Sequence, residues 1–210
     1  MRPLDTDHLI GLFDAALRTI SGSAREQRPN PAKKATSKPL STEDKRESGR
    51  LMRVNHCGEV CAQALYLGQA LTTTETGTRE ALKKTAEEEI DHLAWCEERL
   101  QELDTKSSYL NPAFFAISFV GGALTGLLGD RINLGFVAAT EEQVIHHLDL
   151  HLDKLPEHDT RSRAILAEMR EDEAKHQASA LNRGGIDFPH QVKGLMKLAG
   201  RVMTRSTYWL

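Results

Sequence analysis

Two short runs of this sequence place a carboxylate and an imidazole one helical turn apart: Glu89-Ile90-Asp91-His92 and Glu173-Ala174-Lys175-His176. Each Glu-x-x-His follows another glutamate at a matching distance, with Glu59 30 residues before Glu89 and Glu141 32 residues before Glu173. Side chains three apart on a helix project from one face, so each run offers an oxygen and a nitrogen to the same point. The interval is that of one helix and its return in an antiparallel hairpin. A lone Glu-x-x-His arises easily by chance in a chain rich in both residues. A repeated unit that supplies four carboxylates and two imidazoles does not. Hard oxygen donors with some nitrogen suit iron or manganese, whereas thiolate sets point to zinc or iron–sulfur clusters.

The elements that must position these groups are helices. The heptad-like spacing predicts four long ones at about 42–73, 78–105, 130–154 and 160–183. In the second, Leu82, Ala86, Glu89, Leu93, Cys96, Leu100 and Leu103 recur in steps of four and three, an inward seam with Glu89 in its middle. The third repeats the pattern in Leu134, Ala138, Glu141, Ile145, Leu148, Leu152 and Leu155, and the fourth in Leu166, Met169, Glu173, His176 and Ala180. No Lys or Arg shares these seams at the level of the acids. A buried carboxylate without compensation costs several kcal/mol, by rough estimate, so a shared metal cluster is the economical answer. The bland alternative, solvated faces carrying runs such as Glu87-Glu88-Glu89, conflicts with the seam period. Glu141 is favoured over its neighbour Glu142, whose face carries His146 and Asp149. Glu59 lies on a mixed face with Met52, Asn55, Ala62, Tyr66 and Ala70, and periodicity alone does not select it. Four Glu and two His on two hairpins are the ligand set of ferritin-like di-iron and di-manganese bundles. The fold class expected is all-α: a ferritin-like four-helix bundle with one long crossover and extra amphipathic helices at the termini.

The chain divides accordingly into a short amphipathic helix (1–20), a flexible linker with Pro29, Pro31 and Pro39 (21–41), the bundle (42–185) and a basic amphipathic helix (186–210). The crossover between the second and third long helices contains Asn111 to Gly129, a stretch without any charge. Its length is near the lower limit for a bilayer span, but Gly121-Gly122 and Gly126 weaken that reading, and a partly helical apolar crossover is preferred. In the last segment Lys193, Lys197, Arg201 and Arg205 recur every four residues beside Leu195, Leu198 and Val202, ahead of Tyr208-Trp209-Leu210. A basic amphipathic helix of this kind suits an anionic membrane surface; packing on the bundle or on another subunit is the alternative.

Composition sets the outer bounds. With 210 residues, 40% hydrophobic and 27% charged, the chain can bury a core. A net charge of -3 gives no global basic field for nucleic acid. Three cysteines, an odd count, argue against a disulfide framework and for a reducing compartment. Cys57 and Cys61, with no second matched pair, read as packing rather than zinc ligands. Asp5, Asp7 and Asp14 argue against a leader peptide.

The same residues carry a resemblance. Arg53-Val54-Asn55-His56-Cys57-Gly58-Glu59-Val60-Cys61-Ala62-Gln63-Ala64-Leu65-Tyr66 resembles the signature of the demethoxyubiquinone (demethoxyubiquinol) hydroxylases of ubiquinone biosynthesis, bacterial branch. Glu88-Glu89-Ile90-Asp91-His92-Leu93, Ala139-Thr140-Glu141-Glu142 with His146-His147, and Asp172-Glu173-Ala174-Lys175-His176 resemble the remaining motifs, in order and spacing. The resemblance implies metal ligands at Glu59, Glu89, His92, Glu141, Glu173 and His176, and so supplies the case for Glu59. It implies two iron ions per chain as cofactor and an O2-dependent monooxygenase that hydroxylates the ring of a polyprenylated demethoxyubiquinol. It further implies work at the cytoplasmic face of the inner membrane as a peripheral protein, with other ubiquinone-biosynthesis proteins or a second copy of the chain as partners. Cys57 departs from the small residue expected at its position.

Tyr66 and His147 are candidates to support the site from just outside the ligands; a core tyrosine and an ordinary edge histidine are the alternatives. An iron-handling ferroxidase would use the same six ligands, but needs neither the apolar crossover nor the basic tail. A metal-free, membrane-associated helical scaffold is the third reading.

Overall fold

The computed structural model describes residues 6–22, 25–36 and 38–210. Seven α-helices account for most of them: α1 (Thr6–Ser21), α2 (Thr42–Thr72), α3 (Thr76–Glu102), α4 (Asn111–Leu127), α5 (Asp130–Lys154), α6 (Thr160–Asn182) and α7 (His190–Trp209), with no strand among the described residues. The four long helices begin and end within a few residues of the positions set by the apolar spacing. Of the short amphipathic helix read at 1–20, residues 1–5 and the side chains of Leu9 and Leu12 lie outside the described residues.

The starts of three bundle helices are fixed by side chains that satisfy a free N–H of the first turn. Ser41 accepts from Asp44 N at the head of α2, Glu75 from Thr78 N at α3, and Asp159 from Ser162 N at α6. Between α4 and α5 the chain turns at Gly129, whose φ of 94° lies where a side chain is strained. The hairpins α2–α3 and α5–α6 form the bundle. Its apolar core is built round Trp95, Leu51, Met52, Leu100, Leu148, Ile165, Leu166 and Met169, all essentially inaccessible.

The crossover is a complete helix rather than a partly helical stretch. Three glycines account for its placement. A Cβ added at Gly68 of α2 would overlap the Phe119 carbonyl of α4; one at Gly122 would overlap the Leu65 carbonyl of α2; one at Gly126 would strike Thr72. The two helices therefore lie backbone against backbone, and Thr72 donates from its hydroxyl to the Ala123 carbonyl at 2.8 Å. That contact buries the glycine side of α4 and leaves Ile117, Val120, Leu124 and Leu127 on its outer side, each more than half exposed. No helix among the described residues is long and apolar enough to cross a membrane.

The segment read as a flexible linker is partly packed. Asn30 and Ala32 are buried, Pro31–Lys34 form a 3-10 turn capped by the Asn30 side chain, and Ala32 joins the core cluster. Prolines in that segment stiffen the backbone in a conformation that lies along the bundle, so composition alone misjudged it.

Candidate metal centre

Helices α2, α3, α5 and α6 bring all six ligand candidates to one point in the middle of the bundle. Glu59, Glu89, His92, Glu141, Glu173 and His176 are all buried, Glu89 and His92 completely. Their donor atoms form two sets, each within 4.8 Å: Glu59, Glu89, His92 and Glu173, and then Glu89, Glu141, Glu173 and His176. The sets share Glu89 and Glu173, the two carboxylates of the Glu-x-x-His runs. The alternative Glu142 is exposed and pairs with Lys193 instead.

Both imidazoles turn Nδ1 inward. His92 Nδ1 lies 2.8 Å from Glu89 Oε2, 3.2 Å from Glu173 Oε1 and 3.7 Å from Glu59 Oε2. His176 Nδ1 lies 3.0 Å from Glu89 Oε1 and 3.1 Å from Glu173 Oε2. Each Nε2 faces a carboxylate behind it, Asp172 at 3.2 Å for His92 and Glu88 at 2.8 Å for His176. That is how metal-binding histidines are ordinarily held: the far nitrogen donates to an acceptor, which fixes the ring and frees the near nitrogen's lone pair. Tyr66, 1% exposed, donates its hydroxyl to Glu141 Oε1.

Electrostatics test whether this set suits a cation. Burial, helped by the charges of Glu89 and Glu173, pushes Glu59 up to about 8. Burial and the charges of Glu173 and Glu89 likewise push Glu141 well up. Burial opposes protonation of His176, but hydrogen bonds to Glu173 and Glu89 outweigh it and push the ring up to about 12. His92 moves the same way, its burial outweighed first by the Glu89 charge. Crowded, buried carboxyls that resist ionisation and rings that hold protons are the signs of a cluster short of positive charge. Divalent cations would supply that charge and displace protons on binding. Glu59 Oε2 has no hydrogen-bond partner, and no Lys or Arg among the described residues pairs with any of the four glutamates. The donor set fits a pair of hard cations.

Beside the cluster runs a cavity of about 1260 Å³ that reaches the surface between α4, α5 and α7. Glu59, Glu141 and Glu173 line its inner part; Leu65, Ile117, Phe136 and Met203 line its walls. His147 also lines it, with its Nε2 unpartnered and its ring 3.8 Å from that of His151, which in turn faces Asn55 Oδ1 at 3.1 Å. Burial, then the charges of Lys154 and His146, lowers His147 to about 4; burial and its neighbours lower His151 to about 2. Both rings are neutral in the folded protein at pH 7. In the unfolded chain they bind protons near pH 6.5. Between pH 6.5 and about 4 the unfolded state therefore holds more protons, and stability falls with pH. We expect wild-type protein to lose about 3–4 kcal/mol relative to a His147→Gln/His151→Gln variant as pH drops from 7 to 5. Urea unfolding at both pH values measures this, and parallel losses would refute it.

Sequence reasoning did not single out Asp91, Asp172 and Glu88. A signal was present: an acid directly precedes both histidine-run ligands, as Asp91-His92 and Asp172-Glu173. Arg28, whose guanidinium donates to Asp91 and Asp172 at 2.8 and 2.7 Å, carried no such signal.

A helical bundle with two overlapping carboxylate–imidazole sets at its centre defines the class: a ferritin-like bundle whose buried donors could hold metal ions. The family model for ubiquinone biosynthesis protein COQ7 matches residues 46–207. Curated proteins named 3-demethoxyubiquinol 3-hydroxylase match almost throughout. The one from Chromohalobacter salexigens is 56% identical over 206 residues, covering 98% of this chain and 97% of that protein. Those from Ectopseudomonas mendocina and Ralstonia pickettii are 54% and 52% identical, covering 96% of this chain and 94% and 98% of theirs. The chain belongs to the COQ7 family of ubiquinone biosynthesis proteins.

Proposed function

We propose that this chain is a 3-demethoxyubiquinol 3-hydroxylase, an O2-dependent di-iron monooxygenase acting on the ring of a polyprenylated quinol at a membrane surface. The observation that carries this is the meeting of the buried glutamate–histidine cluster with the large, mainly apolar cavity. Iron storage, which the same ligand set allows, has no use for such a cavity.

Glu59, Glu89, His92 and Glu173 would hold one iron, and Glu89, Glu141, Glu173 and His176 the other. Bound there, the two ions supply the activation of dioxygen, which no side chain here performs. The protein does the rest. Leu65, Ile117 and Phe136 accept the flat ring and keep water from it, and the outer end of the cavity leads the tail toward the exposed apolar rows of α4 and α7. Neutral His147, with a free ring nitrogen, is placed to hydrogen-bond a quinol hydroxyl. Tyr66 holds Glu141 in one orientation and can return a proton to it. The exposed Leu195, Leu198 and Val202 on α7, flanked by Lys197, Arg201 and Arg205, suit an anionic bilayer. That is the phase in which a polyprenyl quinol resides.

The test is direct. Purified protein reconstituted with ferrous iron, given a short-tailed demethoxyubiquinol and 18O2, is expected to yield a ring-hydroxylated product carrying one 18O atom. Ferrous oxidation without labelled product would favour the iron-handling reading instead.

A further inference from the structure

The two inward-facing histidines are backed unequally. His176 Nε2 meets Glu88, a 39% exposed carboxylate whose other oxygen lies 3.6 Å from Lys84 on the same helix. His92 Nε2 meets Asp172 Oδ2, and the Asp172 side chain is only 7% exposed. That same oxygen accepts from Arg28 Nη1 at 2.7 Å, while Arg28 Nε donates to Asp91 Oδ2 at 2.8 Å. Asp91 directly precedes His92 on α3, and Asp172 directly precedes Glu173 on α6. One guanidinium, from neither helix, thus bridges both at the level of the cluster. The other cation on Asp172, Lys175, is mostly exposed and reaches only Oδ1, at 2.9 Å.

Arg28 is held in place by its own segment. The backbone N–H groups of Gln27 and Arg28 donate to Asp91 Oδ1 at 2.6 and 3.3 Å. The Trp95 indole N–H donates to the Arg28 carbonyl at 3.4 Å, and the guanidinium lies 5.0 Å from the Trp95 ring centroid. Two residues on, Asn30 donates to Glu98 at 2.7 Å and caps the turn that buries Ala32. Residues 27–34 themselves precede residue 46, where the match to the family model begins.

We propose that residues 27–34 form a strap and that Arg28 is a positioning residue for one half of the metal centre, fixing Asp172 and through it the ring of His92. The inference rests on the metal reading above. A carboxylate that accepts from both a guanidinium and an imidazole cannot rotate without losing one of them, so the strap sets the aim of His92 Nδ1. Among the described residues no comparable clamp stands behind His176. The site beside Glu59 and His92 therefore depends on the strap, and the site beside Glu141 and His176 does not.

Full-length metal-free protein titrated anaerobically with Co(II), followed by its visible absorption, separates the two sites. Wild-type protein is expected to bind two Co(II). Arg28→Ala is expected to bind one with unchanged affinity and the other about 10–100-fold more weakly, the usual effect of losing an outer partner of a ligand. Arg28→Lys, which keeps the charge but not the two-pronged geometry, is expected to lie between them. Two unchanged sites in Arg28→Ala would overturn the proposal, whatever happened to the thermal midpoint, because the strap would then be merely structural. Equal weakening of both sites would overturn it as well, as general loosening. If Arg28→Ala does not fold, Arg28→Lys carries the same test: weakening of one site supports the proposal, and unchanged or equally weakened sites overturn it. Wild-type protein that binds no Co(II) would overturn the metal reading itself and this proposal with it.

Discussion

Glu89→Gln is expected to remove both metals and with them all hydroxylation. Glu89 belongs to both ligand sets and is fully buried. An amide offers one neutral oxygen where a carboxylate offers two charged ones, and its NH2 would face cations. Deleting one member of a buried charged group costs about 3–5 kcal/mol, or about 10²–10⁴-fold in metal affinity at each of two positions. Elemental analysis of purified protein reads the effect, with Glu142→Gln as control. Glu142 is exposed and faces Lys193, so its loss should leave the metal content at the wild-type level. Two irons retained in Glu89→Gln would refute the shared-carboxylate arrangement.

Neutralising Lys197, Arg201 and Arg205 together to Gln is expected to weaken binding to anionic vesicles by about 3 kcal/mol, roughly 150-fold, at about 1 kcal/mol per charge near the surface. All three are exposed on one side of α7, next to an outward apolar row that includes Leu195 at 70% and Val202 at 61% exposed. Co-sedimentation with vesicles containing an acidic phospholipid measures the loss. Neutral vesicles should show no difference between the two proteins, and high salt should erase the difference on acidic ones. Equal binding of variant and wild type to acidic vesicles at low salt would show that α7 seeks a protein surface instead.

The bundle and most of its site were legible in the sequence because burial forces a choice. Glu89, Glu141, Glu173 and His176 stand on apolar seams where a charge has no business without a partner, and period three-and-four patterning exposes such intruders. Glu59 was less legible: α2 is covered on several sides, by α3, α4 and α7, so apolar and polar residues alternate without a single seam. The resemblance, not the period, pointed to it. The α4 helix was half read. Its uncharged composition was plain, but whether Gly122 and Gly126 break a helix or let it lie against a neighbour depends on Gly68, far away in sequence. The strap was not legible at all. Proline-rich, basic stretches are usually solvated, and nothing local says that Arg28 meets two aspartates 63 and 144 residues away.

Because α2 and α4 touch through their main chains, that side of the cavity has no slack: neither helix can slide or tilt without collision or loss of the Thr72 bond. The opposite side is held more lightly, α7 burying only Thr207 and resting otherwise on pairs such as Lys193–Glu142 and Tyr208–Glu47. If the substrate is the long-tailed quinol proposed above, α7 is the wall that would give way to admit it, and its proposed contact with a bilayer would then also set how readily the centre exchanges its guest.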